Sequence, residues 1–219
     1  MSEAVGLLGG TFDPVHFGHL RLAEEAYEAL YLARVLWIPA GVPPHRQVPR
    51  ASAAQRLELV RLAITGNTHF ELDDSEIAAD EPSYTVHTLA RLRQQQGARP
   101  MLLMLGSDAF LGLATWHRWQ ELFEYAHIAV ATRPAFELNA ADMPAPLAAE
   151  FTQRLASAPE DWLGMSAGRI VPFAMTPLAI SASLIRARLA AGLSARYLIP
   201  DPVREYIDRQ HLYQAADGR

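Results

Sequence analysis

The residues from Gly9 to Leu20, GGTFDPVHFGHL, hold the side chains and turns best suited to chemistry in this chain. Gly9 and Gly10 let the backbone turn sharply and approach a ligand closely. His16 and His19 stand three apart, with Gly18 between them, where a helical pattern begins. At that spacing two side chains share a helix face, and a helix N-terminus already attracts anions through its N–H groups and dipole. Two imidazoles placed there can donate hydrogen bonds to phosphate oxygens. Zinc is the alternative chemistry, but no third ligand or nearby Glu partner is evident. A glycine turn with capping histidines is the purely structural alternative.

Three other strings carry chemical side chains. In ISASLIRARL, from Ile180 to Leu189, Ser181 or Ser183 can cap a helix whose first turn bears Arg186. Hydroxyl, N–H groups and guanidinium then point at one place, which suits the terminal phosphates of a nucleotide; Ser-capped helices with arginines are also ordinary. In GSDAF, Asp108 stands just past an apolar run, where a carboxylate can hold a ribose hydroxyl or cap a helix. In WHRW, Trp116 and Trp119 are spaced for a core, unless one is exposed and stacks on a planar ring.

Short apolar runs alternating with helical patterns must position these groups, and that alternation indicates a parallel α/β sheet. Strands are expected at 4–8, 35–39, 70–74, 101–106, 127–132 and 169–173. Helices are expected at 19–32, 52–64 (capped by Ser52), from Ser83 to Gly97, around 117–125, at 181–192 and at 202–211. Residues 77–82, IAADEP, read as a loop. Ligands of such sheets bind at strand C-termini where strand order reverses, so the polar strings should converge there. The whole chain, 1–219, reads as one domain with a possible insertion at 134–168 and a C-terminal helical segment at 181–211.

Composition narrows the chemistry. The chain has no cysteine, which excludes thiol nucleophiles, disulfides and Cys-based metal sites. It also has no lysine, all 19 basic residues being arginines, which excludes a Schiff-base lysine and the P-loop Gly-Lys-Ser/Thr signature. Any anion must be held by arginine, histidine, backbone N–H groups or a metal. A net charge of -5 supplies no global field for nucleic acid. No apolar stretch approaches bilayer length, and the first ten residues lack a basic n-region, so a cytoplasmic location is expected.

Taken together, Gly10-Thr11-Phe12-Asp13-Pro14-Val15-His16-Phe17-Gly18-His19 and Ile180-Ser181-Ala182-Ser183-Leu184-Ile185-Arg186 resemble the two signatures of the nucleotidylyltransferase superfamily. Ala182 and Ser183 depart from its Ser-Thr pair, though Ser183 keeps a hydroxyl. Within it, PPHR (43–46), SYTVHTL (83–89), GSDAFLGLATWHRW (106–119), the TRP string from Thr132 and YLIPDPVREYI (197–207) are similar to bacterial nicotinate-mononucleotide adenylyltransferases. Arg46 stands where family members often have Lys, and Ala135 replaces a common glycine.

The resemblance implies a Rossmann-like, doubly wound, mostly parallel sheet with helices on both faces. The implied reaction joins the AMP moiety of ATP, with Mg²⁺, to nicotinate mononucleotide and releases pyrophosphate. It implies that Gly9, Gly10, His16, His19, Gly106, Asp108, Ser183 and Arg186 bind ATP. His16, His19 and Arg186 would be catalytic, and Asp108 would meet the ribose. It implies that Gly10, Thr11, Phe12, His45, Arg46, Tyr84, Thr85, Trp116 and Arg133 bind the mononucleotide, with Tyr84–Thr85 amides on its carboxylate and Trp116 on its ring. No resident metal site, nucleic acid or membrane partner is implied, and both monomer and homo-oligomer are compatible with it. Nicotinamide-mononucleotide, phosphopantetheine and cytidylyl enzymes are the neighbouring alternatives. A class I aminoacyl-tRNA synthetase fragment would normally bring a lysine-rich loop, and a nucleotide-binding regulator would bind ATP without turnover.

Overall fold

The computed structural model describes residues 3–43, 48–79, 81–133 and 138–214. In chain order the elements are β1 (Val5–Gly10), α1 (Phe17–Ala29), β2 (Arg34–Pro39), α2 (Ala53–Ile64), β3 (Phe70–Leu72), α3 (Ser75–Ala78), α4 (Thr85–Gln96) and β4 (Met101–Gly106). They continue with α5 (Ser107–Leu111), α6 (Leu122–Tyr125), β5 (His127–Thr132), α7 (Ala145–Arg154), α8 (Glu160–Leu163), β6 (Ile170–Ala174), α9 (Ala182–Ala190) and α10 (Asp201–Arg209). The strands form one six-stranded sheet in the order β3-β2-β1-β4-β5-β6, a Rossmann-like α/β arrangement. Strand order reverses between β1 and β4, which pair in parallel with Val5 opposite Met101 and Leu7 opposite Leu103. The crevice beyond their C-termini is where such sheets bind ligands.

Local sequence accounts for most of these elements. Every residue of His127–Thr132 is buried, and Met101–Leu105 likewise, as expected of parallel strands covered on both faces. α2 starts with a capping box: Ser52 Oγ accepts from the Gln55 N–H while the Gln55 side chain accepts from the Ser52 N–H. α4 stops at Gly97, whose φ of 61° suits glycine and whose N–H reaches Arg93 O. α10 buries Val203 and Ile207, four apart on one helical face.

Three expectations need correction. Ser83 does not cap α4; Tyr84 holds that position, and Ser83 Oγ accepts from the N–H groups of Gly41 (2.9 Å) and Val42 (3.3 Å). The helix expected around 117–125 is broken, because Arg118 is left-handed (φ 50°). Two 3₁₀ turns, Leu113–Thr115 and Trp119–Glu121, precede the short α6 instead. The loop expected over 77–82 is helical at its start, since α3 extends to Ala78.

By packing, the described chain divides into two compact units. The first comprises 1–9, 22–36 and 84–177, and the second 10–21, 37–83 and 178–219. In the first, α7 buries Leu147 and Phe151, and Trp162 of α8 is buried edge-on to His127 at 5.8 Å. No helix among the described residues is long and apolar enough to cross a membrane.

Candidate active site

The second unit brings the two histidines together with the ISASLIR helix through Asp13. α1 begins at Phe17, and the His16 carbonyl accepts from the N–H groups of His19 and Leu20. The two imidazoles therefore project from the first turn and stack, with ring centroids 3.7 Å apart and planes 20° from parallel. The His16 N–H donates to His19 Nδ1 at 3.3 Å. That bond makes Nδ1 an acceptor, so the neutral His19 ring carries its proton on Nε2. Phe12, held left-handed at φ 51°, meets His19 edge-on at 5.1 Å.

The glycines of the string are explained by what a side chain would strike. A Cβ on Gly18 would lie 3.0 Å from His16 Cε1 and Nδ1, and one on Gly10 would lie 3.0 Å from the Phe12 ring. Gly18 therefore makes room for one imidazole, and Gly10 for the ring that orients the other.

His16 is buried, and its Nδ1 has no hydrogen-bond partner in the structure. Desolvation lowers its pKa from 6.5 to about 4, against the opposing pull of its own backbone. His16 is thus neutral at neutral pH. Between its unfolded and folded pKa values the unfolded chain binds the extra proton, so stability is present above 6.5 and drains as pH falls towards about 4. The full loss is ~3 kcal/mol. Buried His127, whose Nδ1 accepts from Arg169 N–H while Nε2 donates to Met165 O, shifts in the same direction through burial. A variant comparison separates the two. Urea unfolding at about pH 7 and about pH 4.5 should show His16→Asn losing ~2 kcal/mol less than the parent protein. Equal losses would mean that His16 titrates normally in the fold.

Asp13 is the junction of this unit. Its carboxylate is buried and accepts from the N–H groups of Arg50 (2.9 Å) and Ala51 (3.1 Å) and from the Tyr213 hydroxyl (2.7 Å). Its backbone carbonyl accepts from Arg186 Nη1 at 2.6 Å, and the same nitrogen lies 3.8 Å from the carboxylate. Arg186 Nη2 donates to Ser183 Oγ at 3.2 Å. Ser181, not Ser183, caps α9, accepting from the Leu184 N–H. Ser183 Oγ is thereby left to hold Arg186. A half-buried guanidinium, a hydroxyl and the α9 N-terminus are grouped as an anion site requires.

Arg56 braces the turn from behind. It is 1 % exposed, and burial draws its pKa down from the usual arginine value. Nη1 donates to Thr11 O (2.9 Å) and Ala40 O (2.5 Å), and Nη2 donates to Gly41 O (2.9 Å). Gly41 has no room for a side chain, since a Cβ would sit 1.9 Å from Glu76 O. Three backbone carbonyls on two segments are therefore fixed by one planar cation, a geometry that lysine cannot reproduce.

The first unit holds the remaining described candidates. Gly9 and Gly106 lie near the C-termini of β1 and β4, and a Cβ on either would meet nothing within 4 Å. Asp108 lies in the first turn of α5 but caps nothing; Gly106 is the N-cap residue, and Ser107 Oγ donates to Ala131 O at 2.7 Å. Asp108 is exposed, which leaves its carboxylate to solvent or a ligand. α4 starts at Thr85 without a side-chain cap, so its first N–H groups suit an anion. The Tyr84 ring packs 4.4 Å from His117 and 5.7 Å from His87. Trp116 is half-buried, whereas Trp119 packs edge-on to Phe123 at 6.4 Å. Arg133 is exposed, and His45 and Arg46 lie outside the described residues. Among the described residues no group of three or more His, Asp or Glu side chains could hold a metal ion.

The chain is similar to known proteins along nearly its whole length. Residues 7–188 match the family model described as cytidylyltransferase-like. A Dechloromonas aromatica protein named "Probable nicotinate-nucleotide adenylyltransferase" is 57% identical over 215 residues, 98% of this chain and 99% of its own. The chain belongs to the nicotinate-nucleotide adenylyltransferase family. A second member so named, from Aeromonas hydrophila, is 44% identical over 99% of this chain and 100% of its own. At the level of fold, the Plasmodium falciparum nicotinic acid mononucleotide adenylyltransferase complexed with NaAD superposes with a TM-score of 0.73 at 15% identity, covering 96% of this chain and 97% of that one.

Within this family member the side chains that sequence alone did not single out are Asp13, Arg56 and Tyr213. Asp13 sits inside the histidine string. Arg56 shares a helical face with Leu59 and Val60, three and four residues on, and all three are buried. That spacing is a signal for a buried arginine. Tyr213 offers no local signal.

Proposed function

We propose that the protein joins the AMP moiety of ATP to nicotinate mononucleotide, forming nicotinate adenine dinucleotide and pyrophosphate, as a step of NAD biosynthesis in the cytoplasm. The observation that carries this reading is the grouping of stacked His16 and His19 with Ser183 and Arg186 around Asp13. The nucleophile is a phosphate monoester, whose second pKa of about 6 leaves it ionised at neutral pH. Its oxygen forms a bond to the α-phosphorus while the bridging bond to the β-phosphate breaks and pyrophosphate departs. No general base is required, which suits a group of cationic and N–H donors without paired carboxylates. Positioning and charge stabilisation supply the catalysis.

On this reading His19 Nε2–H and His16 face the triphosphate near the reacting α-phosphate. Arg186 and Ser183 hold the departing phosphates, and Gly9, Gly10 and Gly106 leave room for the nucleotide. Asp108 holds its ribose. The Gly10–Phe12 backbone, His45, Arg46 and Arg133 serve the mononucleotide. The N–H groups at Tyr84–Thr85, where α4 begins, receive the pyridine carboxylate, and Trp116 stacks on the ring. Mg²⁺ belongs here to the nucleotide, whose phosphate charge it neutralises; the described residues provide it no cluster of their own.

The test supplies MgATP with nicotinate or nicotinamide mononucleotide and follows pyrophosphate. Faster release with the acid is expected, together with a Trp116→Ala variant whose KM rises about tenfold for the mononucleotide and less than twofold for ATP. Equal rates with acid and amide would refute the carboxylate assignment, and equal KM effects would refute the stacking. No pyrophosphate from either substrate would point to a nucleotide-binding regulator.

A further inference from the structure

Tyr213 lies beyond α10, is left-handed at φ 63°, and is 6% exposed. Its hydroxyl donates to Asp13 Oδ1, which also accepts from Ala51 N–H, while Oδ2 accepts from Arg50 N–H. Burial, reinforced by the Asp13 charge, raises the phenol far above its ordinary range, so it remains the donor. Arg186 Nη1 is close to both possible acceptors on residue 13. It donates to the carbonyl at 2.6 Å and lies 3.8 Å from Oδ2. The guanidinium holds a fork on the Asp13 carbonyl and Ser183, with the carboxylate within reach as a competing acceptor. What decides between them is how completely the carboxylate is satisfied by its other donors.

We propose that Tyr213 is a positioning residue for adenylyl transfer, its hydroxyl occupying the Asp13 carboxylate so that Arg186 stays directed at the departing phosphates. The proposal rests on the reading that Arg186 binds those phosphates. Without the hydroxyl, Oδ1 keeps only a backbone donor, the carboxylate draws Arg186 towards itself, and the fork on Ser183 opens.

A double-mutant cycle tests this, with Tyr213→Phe and Arg186→Ala made singly and together in the full chain. Pyrophosphate release and calorimetric MgATP binding are both measured, well below each melting midpoint. Tyr213→Phe should lower kcat about tenfold while the KM for nicotinate mononucleotide changes less than about twofold. In the Arg186→Ala background the same substitution should change kcat by less than about twofold. A tenfold effect of Tyr213→Phe in both backgrounds would show that it does not act through Arg186. A Tyr213→Phe protein that does not fold would make the hydroxyl purely structural. Either result overturns the proposal. If the parent protein released no pyrophosphate, the reading of the reaction would fail, but MgATP affinity would still decide the coupling. It should fall about fivefold on losing the hydroxyl only where Arg186 is present.

Discussion

Alanine at His19 should slow pyrophosphate release by about 10²–10³-fold, the usual cost of one preorganised donor at a developing charge. The geometry explains why no neighbour compensates. His19 Nδ1 is committed to the His16 N–H, and the ring is wedged between the His16 imidazole at 3.7 Å and the Phe12 edge at 5.1 Å. Its proton on Nε2 is consequently aimed by three independent contacts. His16 cannot take over, because it is buried and stacks face to face with the lost ring instead of occupying its place. Stability should fall little, since His19 is half-buried and the 3.3 Å hydrogen bond its ring accepts from the His16 N–H is worth ~1 kcal/mol. Steady-state kinetics with thermal melting checks both halves. Turnover within tenfold of the parent, or a melting point that collapses, would return the histidines to a merely structural role.

Methionine at Arg56 should have the opposite profile, with a loss of stability as the primary effect. Methionine fills similar space among Leu59 and Val60 but leaves the carbonyls of Thr11, Ala40 and Gly41 without their donor in the interior. Stranding buried polar groups and removing a charge that sits near Asp13 should cost about 3–5 kcal/mol. For a chain of this size that is about 10 °C in melting temperature. Arg56→Lys should recover only part of it, since a point charge cannot serve three carbonyls in one plane. A melting shift under about 3 °C for Arg56→Met would show that water replaces the guanidinium without penalty.

Strands buried on both faces were plain in the sequence because their apolar runs tolerate no polar interruption. The expected limits of β4 and β5 coincide with Met101–Gly106 and His127–Thr132. The Ser52 capping box and the Gly97 stop were equally legible, since each is settled within a few residues. Ser83 was not, because its hydroxyl could serve its own helix or the distant amides of Gly41 and Val42, and only the assembled chain chooses. The segment around Arg118 misled because one left-handed residue breaks a helical pattern without altering its hydrophobic spacing. At the site, the phosphate-friendly side chains were visible as residue types. The groups that aim and brace them, Asp13, Arg56 and Tyr213, were hidden because their partners are mostly backbone carbonyls, N–H groups or residues far along the chain.

The hydrogen bond between Tyr213 and Asp13 spans 200 residues of sequence. Contacts of such separation are slow to close, because the intervening loop must first lose its freedom. During biosynthesis the turn bearing both histidines emerges early, yet its junction is completed only after residue 213 has been added. A ribosome-bound or C-terminally clipped chain would therefore carry the signature residues without their final alignment. On the proposed role of Tyr213, competence would therefore be a late event in the making of each molecule, waiting on a residue 200 positions after the turn it aligns.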